Sequence, residues 1–207
     1  NATIYTLTQR IERGAVLVEG ARIAAAGPAE HVPCPPDAQV IDADGLLLTP
    51  GFIDLQFNGG FGQDFTADST TIWPVAAQLP QHGVTAFLPT IITAPLEKSA
   101  LGRRIVTAGR PGGETSPLPR GATPLGLHIE GPFLNPAKKG AHNPNYLRLP
   151  DLDAVRDWSP DTGVRLATLA PELTGALEVI EALSRRGVLV SAGHSTATYD
   201  QAVAGFD

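Results

Sequence analysis

The sequence holds one cysteine, no methionine and two tryptophans in 207 residues, and only 6% of it is aromatic. One cysteine cannot close an internal disulfide. That excludes a disulfide scaffold and fits a reducing cytoplasm. Cys34, in Val32-Pro33-Cys34-Pro35-Pro36, has no reactive-thiol motif around it and reads as a passive loop thiol. Methionine is missing even at position 1, for which a processed or trimmed N-terminus is one explanation. No run approaches the ~18 apolar residues of a membrane span. Asn1-Ala2-Thr3 starts no basic-then-apolar pattern, so no signal peptide is expected. Repeats and low-complexity tracts are also missing. Positive charge is in short supply: 15 Lys and Arg against 21 Asp and Glu leave a net charge of -6. This argues against a general nucleic-acid binder, although a small anionic ligand needs only a local cluster of cations.

What is present is an ordinary globular composition, 43% hydrophobic and 17% charged, ample for a core. Residues 1–50 read as a small β-sandwich-like module. Thr3–Leu7 is β-rich, and Ala15–Val18 and Arg22–Ala25 flank the turn Glu19-Gly20-Ala21. Gln39–Ile41 and Leu46–Leu48 flank Asp44-Gly45. From residue 51 to 207 short apolar runs alternate with helical stretches. The spacing predicts strands at 52–57, 85–88, 124–129, 165–169 and 188–192. Helices are predicted at 74–82, 96–108, 152–158, 172–186 and 198–204. In the helix at 172–186, Leu173, Leu177, Ile180 and Leu183 recur at three- and four-residue steps, and Gly187 stops it.

Such alternation means an α/β fold with parallel strands and crossover helices. Chemistry-bearing residues at strand ends point to a (β/α)8 TIM-type barrel, whose sites gather at the C-terminal ends of the strands. An open doubly wound sheet is the alternative, but Phe57-Asn58-Gly59-Gly60 lacks its Gly-rich first turn. A whole barrel takes about 250 residues. About five βα units fit here, so the sequence reads as truncated after the fifth.

The candidate site residues stand at those strand ends. In GFIDLQFN, Asp54, Gln56 and Asn58 share one face, a polar row that is costly unless paired or used. In LGLHIEGP, His128 and Glu130 share a face, and His194 follows the apolar run of VLVSAGHS. A carboxylate and an imidazole suit Zn2+ or a similar divalent ion, but a catalytic site needs about three protein ligands and an open position. Two residues so far apart in sequence leave metal binding and a paired core carboxylate as open alternatives. Lys138 and Lys139 read as a solvated pair, and His82 beside Gly83 as a helix end.

The segments PGFIDLQFNGG, GVTAFLPT, GLHIEGPFLNPAKKGAHNPNYLR and SAGHSTATYDQA together resemble the N-acetylglucosamine-6-phosphate deacetylases of the amidohydrolase superfamily. The third segment is the most specific; PGFID is shared across the superfamily. The resemblance implies hydrolysis of the acetamide of N-acetyl-D-glucosamine 6-phosphate to D-glucosamine 6-phosphate and acetate. It implies a divalent metal ion at one main site, Zn2+ first, with Fe2+, Co2+ or Mn2+ as alternatives. Glu130 matches a metal-binding glutamate and His194 a metal-binding histidine. Ala141 and His142 match substrate contacts, with His142 near the amide carbonyl, where it would donate to the developing oxyanion. Gln56 and Asn58 stand where many amidohydrolases carry an HxH pair, and would line the site. The second metal histidine, the catalytic aspartate and the main phosphate contacts are expected past residue 207, so this chain alone is expected to be inactive. The resemblance further implies a cytoplasmic homodimer with a sugar phosphate as its small-molecule partner, and neither nucleic acid nor membrane. The competing readings are another amidohydrolase, such as a D-aminoacylase or dihydroorotase, and an inactive metal- or sugar-binding fragment. The amides at 56 and 58 count against the first.

Overall fold

The computed structural model describes residues 1–113 and 120–206; Asp207, the end of the expected barrel segment, lies outside them. The chain divides into two compact units, Asn1–Gly51 and Phe52–Asp207.

The first unit carries a four-stranded sheet. Its strands are β1 (Ala2–Tyr5), β2 (Arg10–Glu19), β3 (Arg22–Pro28) and β4 (Leu47–Leu48), in the order β3-β2-β1-β4. β1–β2 and β2–β3 pair antiparallel, and β1–β4 parallel. The β2–β3 hairpin turns where expected, on Gly20 at φ +59°, a left-handed backbone that glycine adopts without steric cost. β2 is far longer than the four residues expected. The expected strand at 39–41 does not form. Its backbone finds no ladder partner among the described residues, and Val40 and Ile41 are 73% and 81% exposed. Apolar character without a partner does not make a strand.

The second unit opens with β5 (Phe52–Phe57), α1 (Ile72–Ala76), β6 (Val84–Ile92), α2 (Leu96–Thr107) and β7 (Thr123–Pro124). It continues with β8 (Leu127–Glu130), β9 (Val164–Leu169), α3 (Ala176–Arg185), β10 (Leu189–Ala192) and α4 (Tyr199–Ala204). The sheet order is β10-β9-β8-β6-β5, every pair parallel, with the short β7 also against β6. Main strands consecutive in the chain are neighbours in the sheet, and the order never reverses. A doubly wound sheet reverses at its switch point. The unit is therefore α/β with the strand order of part of a (β/α)8 barrel.

Three expected helices differ from those that form. The stretch 74–82 is broken: α1 begins earlier, and Leu79–His82 is a 3-10 turn. Pro74 is tolerated in the first turn of α1, whereas Pro80 has no N–H to continue an α-helical ladder. Residues 152–158 form only turns. Their bonds span three residues (Val155 N to Leu152 O, 3.3 Å; Trp158 N to Val155 O, 3.0 Å), as in a 3-10 ladder. Seven residues running into Ser159-Pro160 are too few to offset helix nucleation. Trp158 is nonetheless core, tilted against Phe133 at 6.3 Å. The helix at 172–186 starts late, at Ala176, because Gly175 at φ +83° breaks the chain direction before it.

Phe65, Phe87, Ile91, Leu127, Ile129, Val179 and Leu183 are among the residues that form one core between sheet and helices. Gly102 lets α2 sit close on the sheet: a Cβ there would stand 3.0 Å from Leu127 Cδ1 and 3.5 Å from Ile91 Cγ1. On β8, Leu127 and Ile129 therefore pack outward, and His128 and Glu130 are left for the inner face.

Candidate metal centre

Parallel register sets the depth of each group. Ile92 and Thr168 lie level with Glu130 on either side, and Leu169 lies level with Ala192. Gln56, Thr93, Glu130, Glu172 and His194 all stand at, or within three residues of, the C-terminal end of a strand. The loop after β8 returns His142 to the same end. Glu130, His142 and His194 each offer a ligand atom, and these atoms lie within 4.8 Å of one another. Glu130 and His142 are buried, and His194 is part-buried.

Glu130 divides its oxygens. Oε1 faces His194 Nε2 at 2.9 Å and His142 Nε2 at 3.6 Å. Oε2 accepts from Gln56 Nε2 at 2.9 Å. The His142 N–H foremost, and His194 where a proton lies between its Nε2 and the carboxylate, hold this carboxyl at about 2 against the opposing cost of burial. Glu130 is therefore a carboxylate at neutral pH.

The far nitrogens of the two histidines fix their tautomers. His194 Nδ1 lies 2.8 Å from the carbonyl oxygen of Lys138, which only accepts, so the proton is on Nδ1. In the neutral ring Nε2 then presents a lone pair to Glu130 Oε1. Two lone pairs 2.9 Å apart repel unless a proton or a cation joins them. His142 is the reverse. The backbone N–H of Thr93 donates to its Nδ1 at 3.3 Å, with Thr93 Oγ1 also 2.8 Å away, so Nε2 carries the proton. The rings stand edge to face, centroids 4.6 Å apart. One carboxylate oxygen and one imidazole lone pair, beside a hydrogen-bond donor, are a donor set that fits a divalent cation next to an oxygen needing stabilisation.

The remaining candidates make contacts of their own. Asp54 Oδ1 accepts from the backbone N–H of Gln56 at 3.0 Å. Asn58 is exposed and accepts from Phe65 N through its carbonyl oxygen. Ala141 is exposed beside His142. His128 is fully used within the fold. Its Nδ1–H donates to Leu55 O at 3.2 Å, its Nε2 pairs with Thr168 Oγ1 at 2.8 Å, and burial pushes its pKa down. Lys138 contributes its carbonyl to His194, and Lys139 Nζ donates to Gly140 O.

No protein-family model matches the chain. N-acetylglucosamine-6-phosphate deacetylase of Homo sapiens is 44% identical over 166 residues, 75% of this chain and 39% of the human protein. The crystal structure of N-acetylglucosamine-6-phosphate deacetylase from Pasteurella multocida superposes with a TM-score of 0.86 at 34% identity, covering 100% of this chain and 52% of that one. Over three quarters of its length or more the chain is similar to N-acetylglucosamine-6-phosphate deacetylases. It is also 38% identical over 178 residues to the N-acetylgalactosamine-6-phosphate deacetylase of Escherichia coli O157:H7, 84% of this chain and 45% of that protein. The chain thus spans under half the length of these curated relatives of the deacetylase family and about half of the solved structure.

Two groups around the centre went unread in the sequence. Thr93, which orients His142, directly follows β6. Glu172 lies three residues past β9, where the helical pattern concealed it as a helix start. A polar residue at every strand's C-terminal end was the signal for both.

Proposed function

We propose that this chain supplies part of the active site of a metal-dependent hydrolase that converts N-acetyl-D-glucosamine 6-phosphate and water to D-glucosamine 6-phosphate and acetate. The observation that carries it is the pair of opposite tautomers beside one carboxylate. Glu130 and His194 would hold the cation, and His142, with Ala141 beside it, would contact the substrate. A divalent ion there would lend Lewis acidity to an acetyl carbonyl and acidity to a water. The chain's own part is positional. His142 Nε2–H donates to the carbonyl oxygen as negative charge develops on it, and Gln56 fixes the rotation of the Glu130 carboxylate. Asn58 lines the entrance. Zn2+ suits the mixed N/O donor set best, with Fe2+, Co2+ and Mn2+ as alternatives.

Around that site we propose a closed (β/α)8 barrel, residues 51–207 forming part of it, with residues 1–50 as a small β-sandwich-like domain. The protein would be a cytoplasmic homodimer. Two ligands fall short of the three or so a catalytic site needs, so residues 1–207 alone should turn over no substrate.

Acetate release by the intact, Zn2+-loaded protein tests the reading. N-acetylglucosamine 6-phosphate should react, and the unphosphorylated sugar should react far more slowly. No release from the phosphorylated sugar overturns the activity; equal rates overturn the phosphate requirement. N-acetylgalactosamine 6-phosphate belongs in the same assay, and its preference would shift the proposal to the epimer.

A further inference from the structure

The metal-ligating candidate His194 sits on an unfavourable backbone. Its φ is +52°, a left-handed conformation that a side chain with a Cβ adopts at a cost and keeps only when its surroundings over-determine it. Before it, Gly193 N donates to Leu169 O at 3.0 Å. At it, the carbonyl oxygen of His194 accepts from Asn135 N at 3.0 Å. After it, Ser195 and Thr196 both donate to one carboxylate. Glu172 Oε2 accepts from Ser195 Oγ at 2.6 Å. Glu172 Oε1 accepts from Thr196 N at 2.7 Å, Asn135 Nδ2 at 2.9 Å and Thr196 Oγ1 at 3.2 Å.

Glu172 follows β9, Asn135 lies in the loop after β8, and Ser195 and Thr196 lie in the loop after β10. The carboxylate thus ties three loops at one end of the sheet. Asn135 grips the same segment twice, by its N–H to His194 O and by its side chain to Glu172 and to Thr196 Oγ1 at 2.8 Å. Only an acceptor-only group with two oxygens meets these four donors without supplying a hydrogen of its own. Among the described residues, the hydrogen bonds Glu172 accepts come from Asn135, Ser195 and Thr196, not from the groups of the metal centre.

We propose that Glu172 is a positioning residue for the metal centre. By clamping Ser195, Thr196 and Asn135 it holds the left-handed turn at His194, and so keeps Nε2 aimed at the point where Glu130 Oε1 also aims. This rests on the metal-site reading above for its consequence, but not for its geometry. Hydrogen-bond partners that orient metal ligands typically set affinity within about 10–100-fold.

The test uses the intact protein with Glu172→Ala and Glu172→Gln. In the metal-free state, hydrogen exchange of residues 193–198 should quicken about tenfold or more in Glu172→Ala, with β8 and α3 unchanged. Zn2+ affinity by competition with a chromophoric chelator should fall about 10–100-fold in Glu172→Ala and by less in Glu172→Gln, which keeps one acceptor oxygen. If Glu172→Ala does not fold, Glu172→Gln carries both measurements. Wild-type Zn2+ affinity in a variant with intact fold overturns the proposal. Should the wild-type protein take up no Zn2+, the proposed activity falls. The exchange result then decides the positioning role alone: unchanged exchange at 193–198 overturns it, and faster exchange confined there supports it.

Discussion

At the residue scale, His142 and His194 are the same side chain beside the same carboxylate oxygen, and what they bond to behind the ring separates their roles. Lys138 O demands a proton on His194 Nδ1, and Thr93 N–H demands a lone pair on His142 Nδ1. The expected consequence is a clean split. His194→Asn should lose most bound Zn2+, because a lone-pair donor is gone. His142→Asn should keep its Zn2+ and lose about 10²–10³ in kcat, the cost of removing one oxyanion donor. Metal content by atomic emission beside acetate release checks it; loss of metal in both variants would make His142 a ligand too. Glu172 yields a pH dependence. Burial raises its pKa, but Ser195 Oγ, Thr196 N and Asn135 outweigh that and hold it at about 2 instead of the ordinary 4.5. A carboxyl whose folded pKa is depressed contributes stability above its unfolded value and loses it as pH falls through the folded one. Wild type should therefore be more stable than Glu172→Gln at pH 7, with the gap closing between about pH 4.5 and 2. A gap in Tm that stays constant over that window would exclude an ionised clamp. Residue types at this scale were legible: Glu130, His142 and His194 stand in readable motifs. Tautomers were not, because they depend on Lys138 O and Thr93 N, backbone groups that every residue carries.

At the element scale, α3 shows what periodicity does and does not reveal. Leu183 is fully buried, as the pattern requires, but Leu177 is 47% exposed and Val179 takes its place in the core. With the first turn starting only after Gly175, the buried stripe runs through Ala176, Val179 and Leu183, a three- then four-residue step that Leu177 misses. Leu183→Ala should cost about 2–5 kcal/mol, a transfer term plus a cavity in the core to which Leu183 belongs. Leu177→Ala should stay within about 0.5 kcal/mol. Urea unfolding of the intact protein measures both, and similar midpoints for the two variants would contradict the helix's placement. Strands were read better than helices here. A buried parallel strand declares itself by a short apolar run, whereas 152–158 had helical spacing without the length to pass nucleation, and 74–82 hid two prolines inside its pattern.

At the scale of the whole molecule, the parallel sheet ends on two strands, β5 and β10, that among the described residues each have a neighbour on one side only. Their apolar side chains are exposed: Phe52 at 68%, Ile53 at 59% and Leu55 at 57% on β5, and Leu189 at 70% on β10. Exposed apolar edge strands invite pairing with another chain, and a barrel removes such edges by closure. The strand order was legible because alternating β and α runs admit few parallel topologies; closing such a sheet into a (β/α)8 barrel takes more strands than these five. The proposed barrel makes the edges measurable. In the intact protein the amides of β5 and β10 should exchange as slowly as those of β8, which is paired on both sides here. In a polypeptide of residues 1–207 they should exchange far faster, and that polypeptide should associate as its concentration rises, by the same open edges. Light scattering follows the second effect and hydrogen exchange the first. Fast exchange at β5 and β10 in the intact protein, with β8 protected, would mean an open sheet, and the ring of strand ends that gathers Glu130 and His194 would then need another source for its third ligand.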